Sequence, residues 1–176
     1  ENRDIAYVGE HIQIGNHRVI LDSRTLAKML DAVDVTDSEL VLDVGSGYGY
    51  SAAIIAHLAE AVVALESEDK PAIEMQNALI DHGIDNVIVE RGPLFSGAAS
   101  HAPYDVIFVQ GGVELIPSEI LTQLKEGGRI VAIFMQGSLG SVKIGYKLNN
   151  EVSWRFAFNA GAPVLDGYKK EMTFTF

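Results

Sequence analysis

The sequence predicts an α/β fold: a doubly wound, mostly parallel sheet with helices on both faces, finished by an antiparallel C-terminal hairpin. Three observations carry that expectation. Short apolar runs alternate with stretches of helical spacing between residues 40 and 134, the pattern of parallel strands buried on both sides. The first of these runs ends in Val44-Gly45-Ser46-Gly47-Tyr48-Gly49, a glycine-rich turn between a strand and a helix. After Phe134 the alternation stops, and two extended runs flank Asn149-Asn150, residues that suit the positive φ angles of a two-residue hairpin turn.

The elements follow in order. Residues 6 to 21 hold two short extended runs around Gly15-Asn16, a hairpin or loop. Residues 23–33 have helical spacing, with Asp22 or Ser23 as the N-cap. A buried strand spans 40–44, and a helix of small residues spans 48–59. A second strand at 62–65 ends at Glu66, and a helix over 70–82 closes at Gly83. Strands follow at 87–89 and 104–109. A helix over 117–125 begins with proline and stops at Gly127-Gly128. A fifth strand spans 130–134, the hairpin strands span 141–148 and 152–158, and a last strand spans 172–176. Trp154, Phe156 and Phe158 alternate along a strand, as sheet packing requires.

Composition narrows the function. Lys and Arg total 13 against 24 Asp and Glu, for a net charge of −11. Grooves that track nucleic-acid phosphates need clustered cations, so no nucleic-acid partner is expected, nor an anionic membrane surface. There is no cysteine, which excludes disulfides, thiolate metal sites and cysteine nucleophiles and fits a cytoplasmic protein. No apolar run approaches the roughly 18–20 residues of a membrane span, and no stretch reads as a signal peptide. The five histidines are scattered without ligand spacing, so no metal site is expected. His57 therefore reads as structural. The chain begins at Glu1 on what looks like mid-domain sequence, so a preceding segment is expected.

The glycine turn is the chemical signal. Glycines let a ligand approach the backbone, and the helix that follows offers free N–H groups. A dinucleotide loop wants G-x-G-x-x-G. Here the third glycine comes one position early, at Gly49. The spacing G-x-G-x-G after Leu42-Asp43-Val44 instead resembles the first motif of class I methyltransferases, which bind S-adenosylmethionine. Glu66, at the end of the neighbouring strand, can accept two hydrogen bonds from a ribose diol.

Further stretches resemble one family, the protein-L-isoaspartate O-methyltransferases. Ala6-Tyr7 with Ile14-Gly15, Ala27-Lys28-Met29, residues 41–58, Pro103-Tyr104-Asp105, Ile116-Pro117, the run 121–129 and Ala162-Pro163-Val164-Leu165 match its pattern in the same order. The resemblance implies a single Rossmann-like methyltransferase domain over 1–176: an N-terminal hairpin or loop over the site (1–22), a cofactor-binding core (39–134) and an antiparallel C-terminal part (141–176). It implies S-adenosyl-L-methionine as cofactor, held by Asp43, Gly45, Ser46, Gly47, Tyr48, Gly49, Glu66, Ser67, Gly92, Pro93 and Leu94. It implies methyl transfer to the free carboxylate of an isoaspartyl residue in damaged protein. A carboxylate is already a competent nucleophile, so alignment in a dry site matters more than a strong base. A different carboxylate or small-molecule substrate, or a catalytically silent cofactor-binding module, are the rival readings. Asp43 either orients the loop or reaches the cofactor's amino group through water; Tyr48 either touches the methionine part or packs.

The chain departs from the family at three places. Where the family has Thr-Ile-Ser, this chain has Val19-Ile20-Leu21, without a hydroxyl; Asp22 and Ser23 follow, and Ser23 is the candidate replacement donor. Pro93 replaces an aspartate that would face adenine. Gln110-Gly111-Gly112 replaces Thr-Ala-Ala after the fourth strand, making Gln110 the leading substrate-side candidate. Leu21, Asp22, Arg24 and Gly111 complete the expected substrate region. Arg18 or Arg24 either attracts a substrate carboxylate or lies in solvent.

Overall fold

The computed structural model describes residues 9–15 and 17–170. A seven-stranded sheet forms its centre, in the order β5-β4-β3-β6-β7-β8-β9. The strands are β3 (Leu40–Val44), β4 (Ala61–Glu66), β5 (Val87–Arg91), β6 (Tyr104–Val113), β7 (Leu124–Gln136), β8 (Leu139–Leu148) and β9 (Glu151–Asn159). The first five run parallel, and β8 and β9 add antiparallel at one edge. The helices are α1 (Ser23–Val33), α2 (Tyr50–Ala56), α3 (Asp69–Asp81) and α4 (Ser118–Thr122). The expected last strand at 172–176 lies outside the described residues.

Side chains alternate strictly between two cores. Val41, Val62, Ala64, Val106, Phe108, Val131 and Ile133 face one side, with Leu26 and Met29 of α1, Ile55 of α2 and Met75 of α3 packed on them. Leu42, Val63, Leu65, Ile107, Val109, Ile130 and Ala132 face the other. That second face is covered by α4, two short 3₁₀ turns and the C-terminal segment carrying Leu165 and Tyr168. Period-2 alternation with both faces apolar is what a sandwiched parallel sheet demands.

Several boundaries differ from the sequence expectation for local reasons. Helix α2 starts at Tyr50 rather than residue 48, because its N-cap Gly49 sits at φ 89°. Helix α4 ends at Thr122 because β7 already begins at Leu124; the buried Lys147 ammonium donates to the Leu121 and Leu124 carbonyls that a longer helix would have used. Strand β6 continues through Gln110-Gly111-Gly112 to Val113. Its extension is tied to the C-terminal segment: Gly112 N–H donates to Pro163 O at 2.8 Å, and Leu165 N–H to Gly112 O at 2.9 Å. A Cβ at Gly112 would lie 2.4 Å from Ala162 O, so only glycine permits that crossing. The hairpin at Asn149-Asn150 has φ values of 55° and 62°, as the two asparagines predict.

Strands β1 (Ile12–Gly15) and β2 (Arg18–Ile20) form a separate two-stranded antiparallel sheet. It lies over the carboxyl ends of the parallel strands. From β3 the chain winds toward β4, and from β6 it winds toward β7, so the crevice between β3 and β6 is the topological switch point where ligands bind in such sheets. The glycine turn opens into it.

Gly49→Ala tests how tightly that turn is fixed. The substitution places a Cβ at positive φ and 2.7 Å from Met75 Cγ. Urea unfolding should report a loss of about 2 kcal/mol.

Candidate active site

The turn after β3 is built by three left-handed glycines, with φ of 82° at Gly45, 57° at Gly47 and 89° at Gly49. Gly45 and Ser46 N–H both reach Leu65 O, at 2.8 and 3.2 Å. The turn is therefore laced to the end of β4 as well as to its own strand.

Asp43 is the turn's internal fastener. Its fully buried carboxylate accepts from Ser46 Oγ at 2.8 Å, Ser51 Oγ at 2.6 Å and Gln110 Nε2 at 2.8 Å. Strand β3, the turn, α2 and β6 thus meet on one carboxylate. Burial pushes its pKa upward, against hydrogen bonds from Ser51, Gln110 and Ser46, and the Glu66 charge adds to the rise. Gln110 is held by Asp43 and is itself buried.

Glu66 is the second anion, wholly buried. Its Oε2 accepts from Gly47 N–H at 2.7 Å, and its Oε1 from Ser67 N–H at 2.7 Å and Glu68 N–H at 3.1 Å. Arg18 of β2 then closes on it as a fork: Nη1 to Oε1 at 3.0 Å and Nη2 to Oε2 at 2.7 Å. The same guanidinium donates to Gly45 O at 3.2 Å and Ser67 Oγ at 3.3 Å. The pair is shielded, with side-chain exposures of 8% for Arg18 and 0% for Glu66. Burial alone would raise the Glu66 pKa, but the hydrogen bonds and charge of Arg18, with the Glu68 and Gly47 amides, hold it below the ordinary value. Arg18 is thus neither in solvent nor aimed outward. A lone arginine entering an apolar run is the only trace of this pair in the sequence.

Two spaces lie nearby, and Arg18 borders the first. An outer cleft of about 380 Å³ is lined by His17, Arg18, Ser67, Glu68, Pro93, Leu94, Phe95 and Asp166. Between β2 and the glycine turn, only about 10 Å³ remains, walled by residues that include Val19, Leu21, Tyr50 and Gln110. Val19 and Leu21 are buried there. Ser67, Pro93 and Leu94 therefore share the outer cleft, and Gly92 lies behind it, its N–H on Glu66 O at 3.1 Å.

Of the other expected residues, Leu21, Asp22 and Ser23 share one depression, and the rest are dispersed. Asp22 caps α1, accepting from Thr25 N–H at 2.9 Å. Ser23 lines a separate depression with Ile12, Ile20 and Tyr50. Exposed Arg24 borders another, beside Lys28 and Asn159. Tyr48 lines a groove with Ala53 of α2 and Ala78 of α3. At Gly111, a Cβ would sit 2.6 Å from Leu165 Cδ2, so this position packs on the C-terminal segment.

The model of the protein-L-isoaspartate (D-aspartate) O-methyltransferase family matches residues 1–154. The chain belongs to that family. Among its relatives, protein-L-isoaspartate O-methyltransferase 2 of Anaeromyxobacter sp. is 38% identical over 142 residues, covering 81% of this chain and 58% of the relative. The namesake from Polaromonas sp. is 39% identical over 126 residues, covering 72% of this chain and 60% of the relative. The chain thus spans somewhat under two thirds of the length of these family members. A solved protein-L-isoaspartate O-methyltransferase superposes with a TM-score of 0.80 at 25% identity, over 90% of this chain and 52% of that one. A Plasmodium falciparum structure, described as a putative protein-L-isoaspartate O-methyltransferase in complex with S-adenosyl-L-homocysteine, shares the fold with a TM-score of 0.78 at 17% identity, over 93% of this chain and 83% of that one.

The glycine turn fits the nucleoside-bearing cofactor that this family implies. The carboxylate beside it, as folded, does not. A ribose diol needs two open acceptor positions on Glu66, and both oxygens are already engaged by Arg18 and backbone amides.

Glu66→Gln leaves Arg18 buried without its anion and should cost about 3–5 kcal/mol in urea unfolding near neutral pH. The folded pKa of Glu66 is lowered, so its stabilisation is complete above the unfolded value of about 4.3 and is lost as pH falls through the lowered folded value. The difference between wild type and variant should therefore narrow in acid. A constant difference down to about pH 3 would contradict the ion pair.

Proposed function

We propose that this chain is the cofactor-binding body of an S-adenosylmethionine-dependent O-methyltransferase that acts on the free carboxylate of isoaspartyl residues in damaged protein. The observation that carries the reading is the turn itself. Three glycines at positive φ stand at the switch point of a parallel sheet, with an acidic residue ending the adjacent strand. A close-approach turn at a switch point is the arrangement that seats a nucleoside; the carboxylate beside it is engaged by Arg18 as folded. Membership of the family adds the reaction class, and its members' names supply the substrate class.

The chain's own residues divide the work. Asp43, through Ser46, Ser51 and Gln110, holds the turn rigid. Pro93, Leu94 and Phe95 offer the outer cleft an apolar wall suited to a flat base. Val19 and Leu21 keep the space beneath the hairpin dry, which favours a carboxylate nucleophile stripped of its hydration. The substrate is a protein or peptide carrying isoaspartate. No helix of the described residues is long and apolar enough to cross a membrane.

The test is methyl transfer from labelled S-adenosylmethionine to an isoaspartyl peptide by the full-length protein, with the aspartyl peptide as control. Labelling confined to the isoaspartyl peptide is expected. Absence of labelling by protein that binds S-adenosylhomocysteine would overturn the substrate assignment and favour the silent module, the reading to which the engaged Glu66 carboxylate lends weight.

A further inference from the structure

The disagreement at Glu66 has a specific shape. A guanidinium fork meets a carboxylate with two parallel donors, as a vicinal diol would. Arg18 supplies that fork from within the chain, at 3.0 and 2.7 Å. It also takes Gly45 O and Ser67 Oγ, the polar groups bordering the same seat. Glu66 is wholly buried behind that fork, while Arg18 itself lines the outer cleft. The outer cleft of about 380 Å³ remains open.

We propose that Arg18 is an internal occupant of the cofactor's ribose seat, and that the cofactor binds only when the β1–β2 hairpin withdraws Arg18 from Glu66. The proposal rests on the cofactor reading above and goes beyond it.

Two features make the exchange feasible. Among the described residues, the hairpin forms its own sheet and shares no strand pairing with the central one. Its β1–β2 register shifts between Gln13 and Gly15, and before β1 it is moored by His11, whose Nε2 donates to Gly161 O at 2.7 Å and whose Nδ1 accepts from Asp22 N–H at 3.0 Å. Val19 and Leu21 pack into the core on the central sheet, so withdrawal of Arg18 entails local repacking but breaks no strand pairing of that sheet. The second feature is that Arg18 is incompletely satisfied where it sits: its buried Nε has no hydrogen-bond partner among the described residues. A buried donor without an acceptor favours leaving over staying. Glu66, by contrast, keeps the Gly47, Ser67 and Glu68 amides when Arg18 departs. Its charge therefore remains hydrogen-bonded and ready for the incoming diol.

The experiment is calorimetric titration of S-adenosylhomocysteine into the full-length protein, its Arg18→Ala and Arg18→Gln variants, and Arg18→Ala combined with Glu66→Gln. Arg18→Gln keeps a donor near Glu66 should Arg18→Ala fold poorly, and circular dichroism checks each fold. Both single variants should bind about tenfold or more tightly than wild type, because a competing occupant lowers apparent affinity by the fraction of sites it holds. The double variant should lose that gain. In wild type, side-chain NMR should show the Arg18 Nε–H resonance shifting as the ligand saturates the site. Equal affinity of wild type and single variants, with that resonance unmoved, would overturn the proposal and leave the cofactor reading standing. No binding by any folded variant would overturn both.

Discussion

The fork between Arg18 and Glu66 is the interaction on which the site's geometry turns. One buried carboxylate collects Gly47 of the glycine turn, Ser67 and Glu68 at the start of α3, and Arg18 of the hairpin. Each is a donor that an isolated anion would require. Taking a charge out of water is costly unless its lone pairs are filled, and here all the surrounding elements fill them. The price of that economy is that nothing is left for an outside ligand.

Asp43 and Glu66 are the paired anions of the crevice, and their environments push them in opposite directions. Asp43 has only neutral donors around it, and burial raises its pKa. Glu66 has a guanidinium, and its pKa falls. The difference separates their tasks. Asp43 is a structural knot joining β3, α2 and β6. Glu66 is the group whose partner can be exchanged. The sheet enforces this division, since β3 is paired in register with both β4 and β6, which sets the two carboxylates at adjacent strand ends.

Much of the architecture was legible from periodicity. The four inner parallel strands read as short apolar runs because both faces are covered, whereas β5 at the edge leaves Ile88 exposed, and Asn149-Asn150 named its own turn. The helix ends were less legible, because they depend on distant partners: Lys147, two strands away, takes the carbonyls where α4 stops. Gly111-Gly112 read as a loop near substrate, yet they extend β6, since glycine there serves the close crossing of Ala162 and Leu165. For the site, the glycine turn and Glu66 carried a local signature. The burial of Arg18 did not, because an ion pair 48 residues apart in sequence leaves no spacing to read. The same holds for Gln110, whose hold on Asp43 spans 67 residues.

The most direct measurement is a double-mutant cycle on Arg18 and Glu66, using Arg18→Met and Glu66→Gln in urea unfolding near neutral pH. If the fork organises the site, each single variant strands a buried partner, and the pair should show a coupling energy above about 2 kcal/mol. A coupling below about 0.5 kcal/mol, the level at which independent sites simply add, would mean that Arg18 does not hold Glu66 in the folded protein.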